Sequence, residues 1–332
     1  MSVSQLLRTV VAGEPVDAVL LEDVLGLAMT GDADPVALAG LLSALACREP
    51  QAEWLVAGAR AMRAHGIACG TGGDGSGTFN VSTASAFVVA ASGCAVAKHG
   101  NRGVSSPVGS ADVLEAAGVQ LEQTPQRACE LLDAVGFAFL FAPSFHPAMR
   151  HVAPIRRALG VRTLFNLLGP LCSPARAEFQ LVGVYSSKLT RIVAEALLQL
   201  GSLGALVVHC DGVDEIGLHA VTVAHQVKDG QVHEVRIDPR ELGMSFCGLD
   251  KLQGGDDKHA NALMLREALR GEGVERSDIV ALNAGAALLV ANQVTTLQEG
   301  LAAARDVMRS GGAERVLDRY ITSSQDQPQV AS

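Results

Sequence analysis

Aromatic residues make up only 4% of this 332-residue chain, and charged residues 18%. The charged share lies below the ~25% of an ordinary globular domain. With so few aromatics the core must be built mainly from Ala, Val and Leu. At 48% hydrophobic residues there is enough apolar surface for a large core, which excludes whole-chain disorder. Basic charge is not in excess. The formal net charge is -9, which argues against a protein built around nucleic-acid backbone contacts. No run reaches 18 apolar residues, and the longest candidate, 86–97, contains Ser92 and Gly93; a membrane-spanning helix is excluded. The seven cysteines (Cys47, Cys69, Cys94, Cys129, Cys172, Cys210, Cys247) are odd in number and form no C-x-x-C pair. That pattern fits reduced thiols in a cytoplasmic protein rather than a disulfide scaffold. The start, Met1-Ser2-Val3-Ser4-Gln5, lacks a basic region followed by an apolar one, so no signal peptide is expected.

The length suggests two domains or one large one. Over residues 4–65, apolar residues recur at three- and four-residue steps, as in Leu38, Leu41, Leu42 and Leu45. This predicts a small all-helical unit. Thr30-Gly31 and Glu49-Pro50 separate its helices, and Asp34-Pro35 supplies an N-cap and a first-turn proline. From Gly66 onward the pattern changes. Apolar runs at 94–97, 137–142, 181–184 and 205–209 read as buried strands, alternating with helical segments at 82–91, 126–135 and 188–200. That alternation predicts α/β crossover units and a mostly parallel sheet. Asp229-Gly230, between 222–228 and 232–237, predicts an antiparallel hairpin near the sheet edge. Residues 257–311 return to helix, and 321–332 are expected to fray.

Glycine is abundant, at 35 residues, and it crowds into Gly70-Thr71-Gly72-Gly73-Asp74-Gly75-Ser76-Gly77. Gly70, Gly72 and Gly75 match the dinucleotide fingerprint, but no acidic residue follows about 20 positions on to hold a ribose. Gly72 and Gly77 mimic a P-loop, but Thr78 stands where lysine is required. From Gly75 to Ala111 there is no Asp or Glu, while nine Ser or Thr, Lys98, His99 and Arg102 fall within it. Such a stretch suits a multiply charged phosphate ligand; the alternative is a buried helix between loops. Asp211-Gly212-Val213-Asp214-Glu215 follows an apolar strand, where parallel-sheet proteins place their ligand loops. Adjacent carboxylates there suit Mg2+, or form an ordinary solvated turn. His146, Arg150, His151, Arg156, Arg157 and Arg162 form a third cluster, either a carboxylate clamp or a basic helix face in water. His209, Cys210, His219 and Cys247 fit no zinc spacing.

Several of these segments together resemble the phosphoribosyl pyrophosphate site of the anthranilate phosphoribosyltransferase family. They are Gly70 to Gly75, Asn80-Val81-Ser82-Thr83, Lys98-His99-Gly100-Asn101-Arg102, Val104-Ser105-Ser106 and Gly109-Ser110-Ala111-Asp112. Phe145-His146-Pro147, Arg162 to Pro170, Asp214-Glu215 and Gly254-Gly255-Asp256 continue the match in family order. The resemblance implies transfer of a phosphoribosyl group to the amine of anthranilate in L-tryptophan biosynthesis, with Mg2+. It implies the nucleoside phosphorylase/phosphoribosyltransferase class of fold and a homodimer formed through the helical domain. The helical domain would comprise 1–65 with about 150–172, and the α/β domain 66–149 and 173–332, with a hinge between them. By the same resemblance Gly70, Gly73, Asp74, Thr78, Asn80, Ser82, Thr83, Lys98, Asn101, Ser105, Ser106 and Ser110 would meet phosphoribosyl pyrophosphate. Gly70, His99, Asn101, His146 and Arg156 would meet anthranilate, with Arg156 on the carboxylate. Ser82, Asp214 and Glu215 would hold Mg2+. No residue is assigned as an essential acid or base. In this chain Pro107 stands where the family usually carries lysine. Two other readings are a paralogue acting on another aromatic acid and a pyrimidine-type nucleoside phosphorylase. A third is a non-enzymatic phosphoribosyl-ligand binder.

Overall fold

The structure is a computed structural model that describes residues 2–66, 79–103, 108–255 and 257–326. It opens with four helices: α1 (Val3–Val11), α2 (Ala18–Thr30), α3 (Pro35–Ala46) and α4 (Ala52–Ala64). Local chemistry sets their ends. The Asp17 carboxylate accepts the N–H groups of Val19 and Leu20, and Asp34 accepts that of Ala37 at 2.8 Å, satisfying donors that a helix start leaves unpaired. Gly31, at φ 85°, ends α2 in the left-handed region.

Helix and strand then alternate through α5 (Val81–Ala91), β1 (Val96–Gly100), α6 (Ser110–Ala116), α7 (Pro125–Val135), β2 (Phe137–Phe141) and α8 (Ala142–Phe145). A helical excursion, α9 (Met149–Leu159) and α10 (Phe165–Leu168), precedes β3 (Phe179–Gly183), α11 (Lys188–Gln199), β4 (Gly204–His209), β5 (Thr222–Lys228) and β6 (Gln231–Ile237). The chain closes with α12 (Lys258–Leu269), α13 (Val274–Val290), α14 (Leu297–Arg309) and α15 (Gly312–Gln325). Among the described residues β1 and β2 pair in parallel, and a second sheet runs β3-β4-β5-β6. In that sheet β3 and β4 are parallel, and the remaining pairs are antiparallel. The Asp229-Gly230 turn joins β5 to β6 with both residues at positive φ, as a two-residue hairpin turn of this hand requires.

The second sheet partitions the interior. Because successive strand residues face opposite ways, Leu206 and Val208 of β4 join a core with α5, α13 and α15. Ala205 and Val207 join a second core with α1–α4 and α11. Val152, Leu164, Phe165, Leu168 and Leu171 belong to that second core, so the 149–172 excursion packs with the N-terminal helices.

Two boundaries differ from those the apolar pattern predicts. A strand at 94–97 is expected, but β1 runs on through Lys98, His99 and Gly100, because parallel pairing with Phe139, Leu140 and Phe141 continues there. Its polar residues Lys98 and His99 are therefore paired strand residues. The C-terminal segment expected to fray from Ile321 stays helical to Gln325. Ser324 is buried, and its hydroxyl accepts the Gln120 N–H at 3.0 Å. One turn earlier, the Tyr320 hydroxyl accepts the Phe139 N–H at 2.8 Å, and its ring meets Phe137 edge-on at 4.8 Å. Burial raises that phenol's pKa, so it stays neutral. Tyr320→Phe should strand the buried Phe139 N–H and cost about 1–3 kcal/mol, read as a lower urea midpoint with an unchanged slope.

Candidate active site

Strand β1 separates two chemistries. Lys98 shares its face with Phe139, towards α5, and its ammonium donates to the Ser82 hydroxyl at 3.0 Å. His99, one residue on, faces the other way with Leu140. Its ring meets that of His146 at 4.9 Å.

On the Lys98 side, α5 begins at Val81 with Asn80 as N-cap, and Asn80 makes no side-chain capping bond. The Ser82 N–H donates to Glu215 Oε1 at 3.2 Å. One of the donors at the positive end of α5 is thus aimed at an anionic oxygen. Thr83 is fully buried, and its hydroxyl has no hydrogen-bond partner among the described residues. Asp214 and Glu215 are 7% and 4% exposed, so this is not a solvated turn. Two features explain the placement. A Cβ on Gly183 would overlap the Asp214 carbonyl, so the end of β3 lies directly against this segment. The buried Asn283 amide then brackets Ile216, accepting its N–H at 3.0 Å and donating to its carbonyl at 2.9 Å. Asn283 carries no motif; its only signal is one amide inside the otherwise apolar face of α13.

The residues fit Mg2+. Two carboxylates and a hydroxyl are hard oxygen donors, and too few to enclose the ion, which ordinarily keeps waters and substrate phosphate oxygens as well. No cluster of three or more His, Cys, Asp or Glu side chains capable of holding a metal occurs among the described residues. His209, Cys210 and His219 instead bond backbone carbonyls of Val184, Ala220 and Asp211.

The connection leaving β1 brings Asn101 beside Ser110. The Asn101 carbonyl accepts the Ala111 N–H at 3.2 Å and the Ser110 hydroxyl at 3.5 Å. Gly70, Gly73, Asp74, Thr78, Ser105 and Ser106, and also Cys69 and Pro107, lie outside the described residues.

On the His99 side, burial pushes the His99 imidazole down to about 3. His146 and Lys98 add to this, and a hydrogen bond to the Gly169 backbone opposes it. Burial also lowers His146. Both rings are therefore neutral at pH 7. The half-buried Arg156 guanidinium lies over the Phe165 ring at 5.6 Å and makes no ion pair among the described residues. Phe165 opens α10, and Gly169 directly follows it, so one short helix connects the arginine to the histidine pair. The exposed Arg162 stacks on Tyr185 at 4.2 Å, away from a clamp role. A signal for this side lies in the sequence: residues 134–177 contain five arginines and no Asp or Glu.

A helical N-terminal unit followed by an α/β unit, with buried carboxylates on one side of β1 and a histidine pair on the other, fits a two-domain glycosyl transferase. The description "Glycosyl transferase family, helical bundle domain" matches residues 4–66, and "Glycosyl transferase family, a/b domain" matches 68–314. Anthranilate phosphoribosyltransferase of Symbiobacterium thermophilum is 47% identical over 326 residues, covering 95% of each chain. The crystal structure of the Thermus thermophilus enzyme of that name superposes with a TM-score of 0.90 at 43% identity, covering 98% of this chain and 100% of the other. That of the Saccharomyces cerevisiae enzyme, in complex with PRPP and Mg, superposes at 0.85 with 25% identity over 97% of each. The chain belongs to the anthranilate phosphoribosyltransferase family.

The depressed His99 carries a stability consequence. Its folded pKa lies below the unfolded value near 6.5, so below that pH the unfolded chain binds the extra proton and stability falls. With a folded value of about 3, lowering the pH from 7 to 5 should cost about 2 kcal/mol from this group. His99→Gln should lose less stability over that interval than wild type, measured by urea unfolding at both pH values.

Proposed function

We propose that the chain transfers the phosphoribosyl group of phosphoribosyl pyrophosphate to the amine of anthranilate, giving N-(5-phosphoribosyl)anthranilate and pyrophosphate, in L-tryptophan biosynthesis. The observation that carries this reading is the division of β1, with Lys98 facing the α5 start and His99 facing the acceptor side. A bond forms between the amine nitrogen and ribose C1, the C1–oxygen bond to pyrophosphate breaks, and the amine proton leaves to solvent. Mg2+, when held by Ser82, Asp214 and Glu215, would neutralise charge developing on the leaving pyrophosphate. Lys98, the α5 start with Asn80, Ser82 and Thr83, and Asn101 with Ser110 would bind and orient the donor. In this reading Gly70, Gly73, Asp74, Thr78, Ser105 and Ser106 complete the donor site. Arg156 would take the acceptor carboxylate. His99, His146, Asn101 and Gly70 would pack around the ring. An aromatic amine is neutral at pH 7, so orientation at the reacting carbon carries the rate rather than a strong base.

We assign the helical unit to 1–65 with about 150–172, and the α/β unit to 66–149 and 173–332. Support comes from the packing of 152–172 with the N-terminal helices. We further propose a homodimer through the helical unit, supported by Val11, Val19 and Val36, which are 71%, 71% and 81% exposed on α1–α3. A cytoplasmic location accords with six free thiols among the described residues. No helix of the described residues is long and apolar enough to cross a membrane.

Anthranilate fluorescence should fall on mixing with phosphoribosyl pyrophosphate and Mg2+, and EDTA should stop the fall. Arg156→Ala should raise the anthranilate KM by about tenfold or more, the scale of a lost charge-assisted carboxylate contact, while sparing donor affinity. No fluorescence change with intact donor binding would point to another aromatic acid as acceptor. Light scattering should give twice the chain mass, and Val19→Glu with Val36→Glu should reduce it; a monomeric wild type would overturn the dimer.

A further inference from the structure

Asp112 closes the sequence motif Gly109-Ser110-Ala111-Asp112 but has no ligand role in the reading above. It is the third residue of α6, and its carboxylate reaches both arms of the connection between β1 and α6. Oδ2 accepts the N–H of Gly103 on the outgoing arm and that of Gly109 on the returning arm, both at 2.9 Å. Oδ1 accepts Arg102 Nη1 at 3.0 Å. The arms are in backbone contact: a Cβ on Gly109 would collide with the Gly103 nitrogen and the Arg102 carbonyl carbon, so only glycine fits there. Beneath the carboxylate, the Asn101 carbonyl accepts the Ala111 N–H. We propose that Asp112 is a positioning residue for the donor: one carboxylate fastens the two arms and so holds Asn101 and Ser110 side by side.

Helix capping explains only part of this arrangement. An acidic third residue ordinarily accepts the N-cap N–H, here that of Gly109. The bonds to Gly103 and Arg102 lie on the other arm, outside the helix. Their geometry requires a carboxylate. Both oxygens must accept, one from two N–H groups and one from a guanidinium, and only an ionised carboxyl is acceptor on both ends. Burial would raise the Asp112 pKa, but the Gly103 and Gly109 N–H groups and Arg102 outweigh it and hold the carboxyl below its usual value. The clasp is anchored outward as well. Arg102 also bonds Glu115, one turn further along α6, at 2.8 and 3.0 Å. Lys258, the first residue of α12, bonds the same carboxylate at 3.0 Å. Just before α12, Gly254 packs against the backbone of Phe79, which leads into α5. The two segments that flank the proposed donor are thereby tied through charged side chains.

The inference rests on the assignment of Asn101 and Ser110 to the donor. Its test uses the full chain with Mg2+, comparing wild type, Asp112→Asn and Asp112→Ala. Asp112→Ala should weaken phosphoribosyl pyrophosphate binding in calorimetry by about tenfold, the loss of a charge-assisted set of bonds. Its donor KM should rise by a similar factor, while kcat at saturating donor stays near wild type. Amide exchange should quicken over 101–111 and stay unchanged in the rest of α6. Asp112→Asn keeps an acceptor for one partner set and should fall between the two. Wild-type donor affinity in Asp112→Ala would overturn the proposal. So would a loss shared by every site in proportion to lost global stability. If wild type binds no phosphoribosyl pyrophosphate, the functional reading fails, and exchange over 101–111 still decides the clasp: unchanged protection in Asp112→Ala overturns it.

Discussion

The start of α5 is organised around one ammonium kept out of water. Lys98 is 8% exposed, and a charge so placed costs several kcal/mol unless polar partners surround it. Its position beside the α5 start aggravates the problem, because a helix start is itself positive. The Ser82 hydroxyl takes the ammonium directly, and Glu215 takes the Ser82 N–H. The carboxylate thus places negative charge at the positive start of α5. A phosphate-bearing ligand would supply that negative charge itself, leaving Asp214 and Glu215 available to a divalent cation. Gly183 and Asn283 brace this segment, and with it the Glu215 oxygen that accepts the Ser82 N–H at the start of α5.

Strand geometry does the rest. A single residue step along β1 turns a side chain to the opposite face, so Lys98 and His99 face opposite sides without any insertion between them. The β3–β6 sheet applies the same rule on a larger scale, with adjacent residues of β4 feeding different cores. The 149–172 excursion takes its packing from the second core yet carries Gly169 to His99 and holds Arg156 over Phe165. In the proposed reading the acceptor would bind there.

Much of this was legible in the residues. The helix start at Asp34, the stop at Gly31 and the turn at Asp229-Gly230 are local events, governed by caps and backbone sterics, and local sequence encodes them. The acid-free stretch 75–111 pointed to a phosphate-bearing ligand, and the motif order carried the family. What escaped depends on distant partners. Apolar patterning ended β1 at Ala97 because Lys98 and His99 are polar, and only pairing with β2 keeps them in the strand. Asn283 is one amide in an apolar helix until Ile216 lies against it. The Ile321–Gln325 segment looks frayed until Ser324 meets Gln120. Asp112 sat inside a named motif, but its role appears only when Gly103 and Gly109 come into contact.

For the proposed reaction, the charge distribution around His99, His146 and Arg156 suits positioning rather than proton transfer. Both histidines there are held neutral, chiefly by burial. In the proposed reading, neutral rings would present apolar faces to an aromatic acceptor and would not compete with Arg156 for its carboxylate. A histidine titrating near 3 is also a weak base at pH 7, so it could draw little of the amine's proton in the transition state. Positive charge is left to arginine, which does not titrate, and the 134–177 stretch keeps acidic partners away from it. The half-buried guanidinium of Arg156, over the Phe165 ring, has lost part of its water and makes no ion pair among the described residues. An acceptor carboxylate meeting it there would replace little ordered solvent. The remaining barrier then lies in bringing a neutral amine and an electrophilic sugar carbon into line, which is a task for a rigid frame.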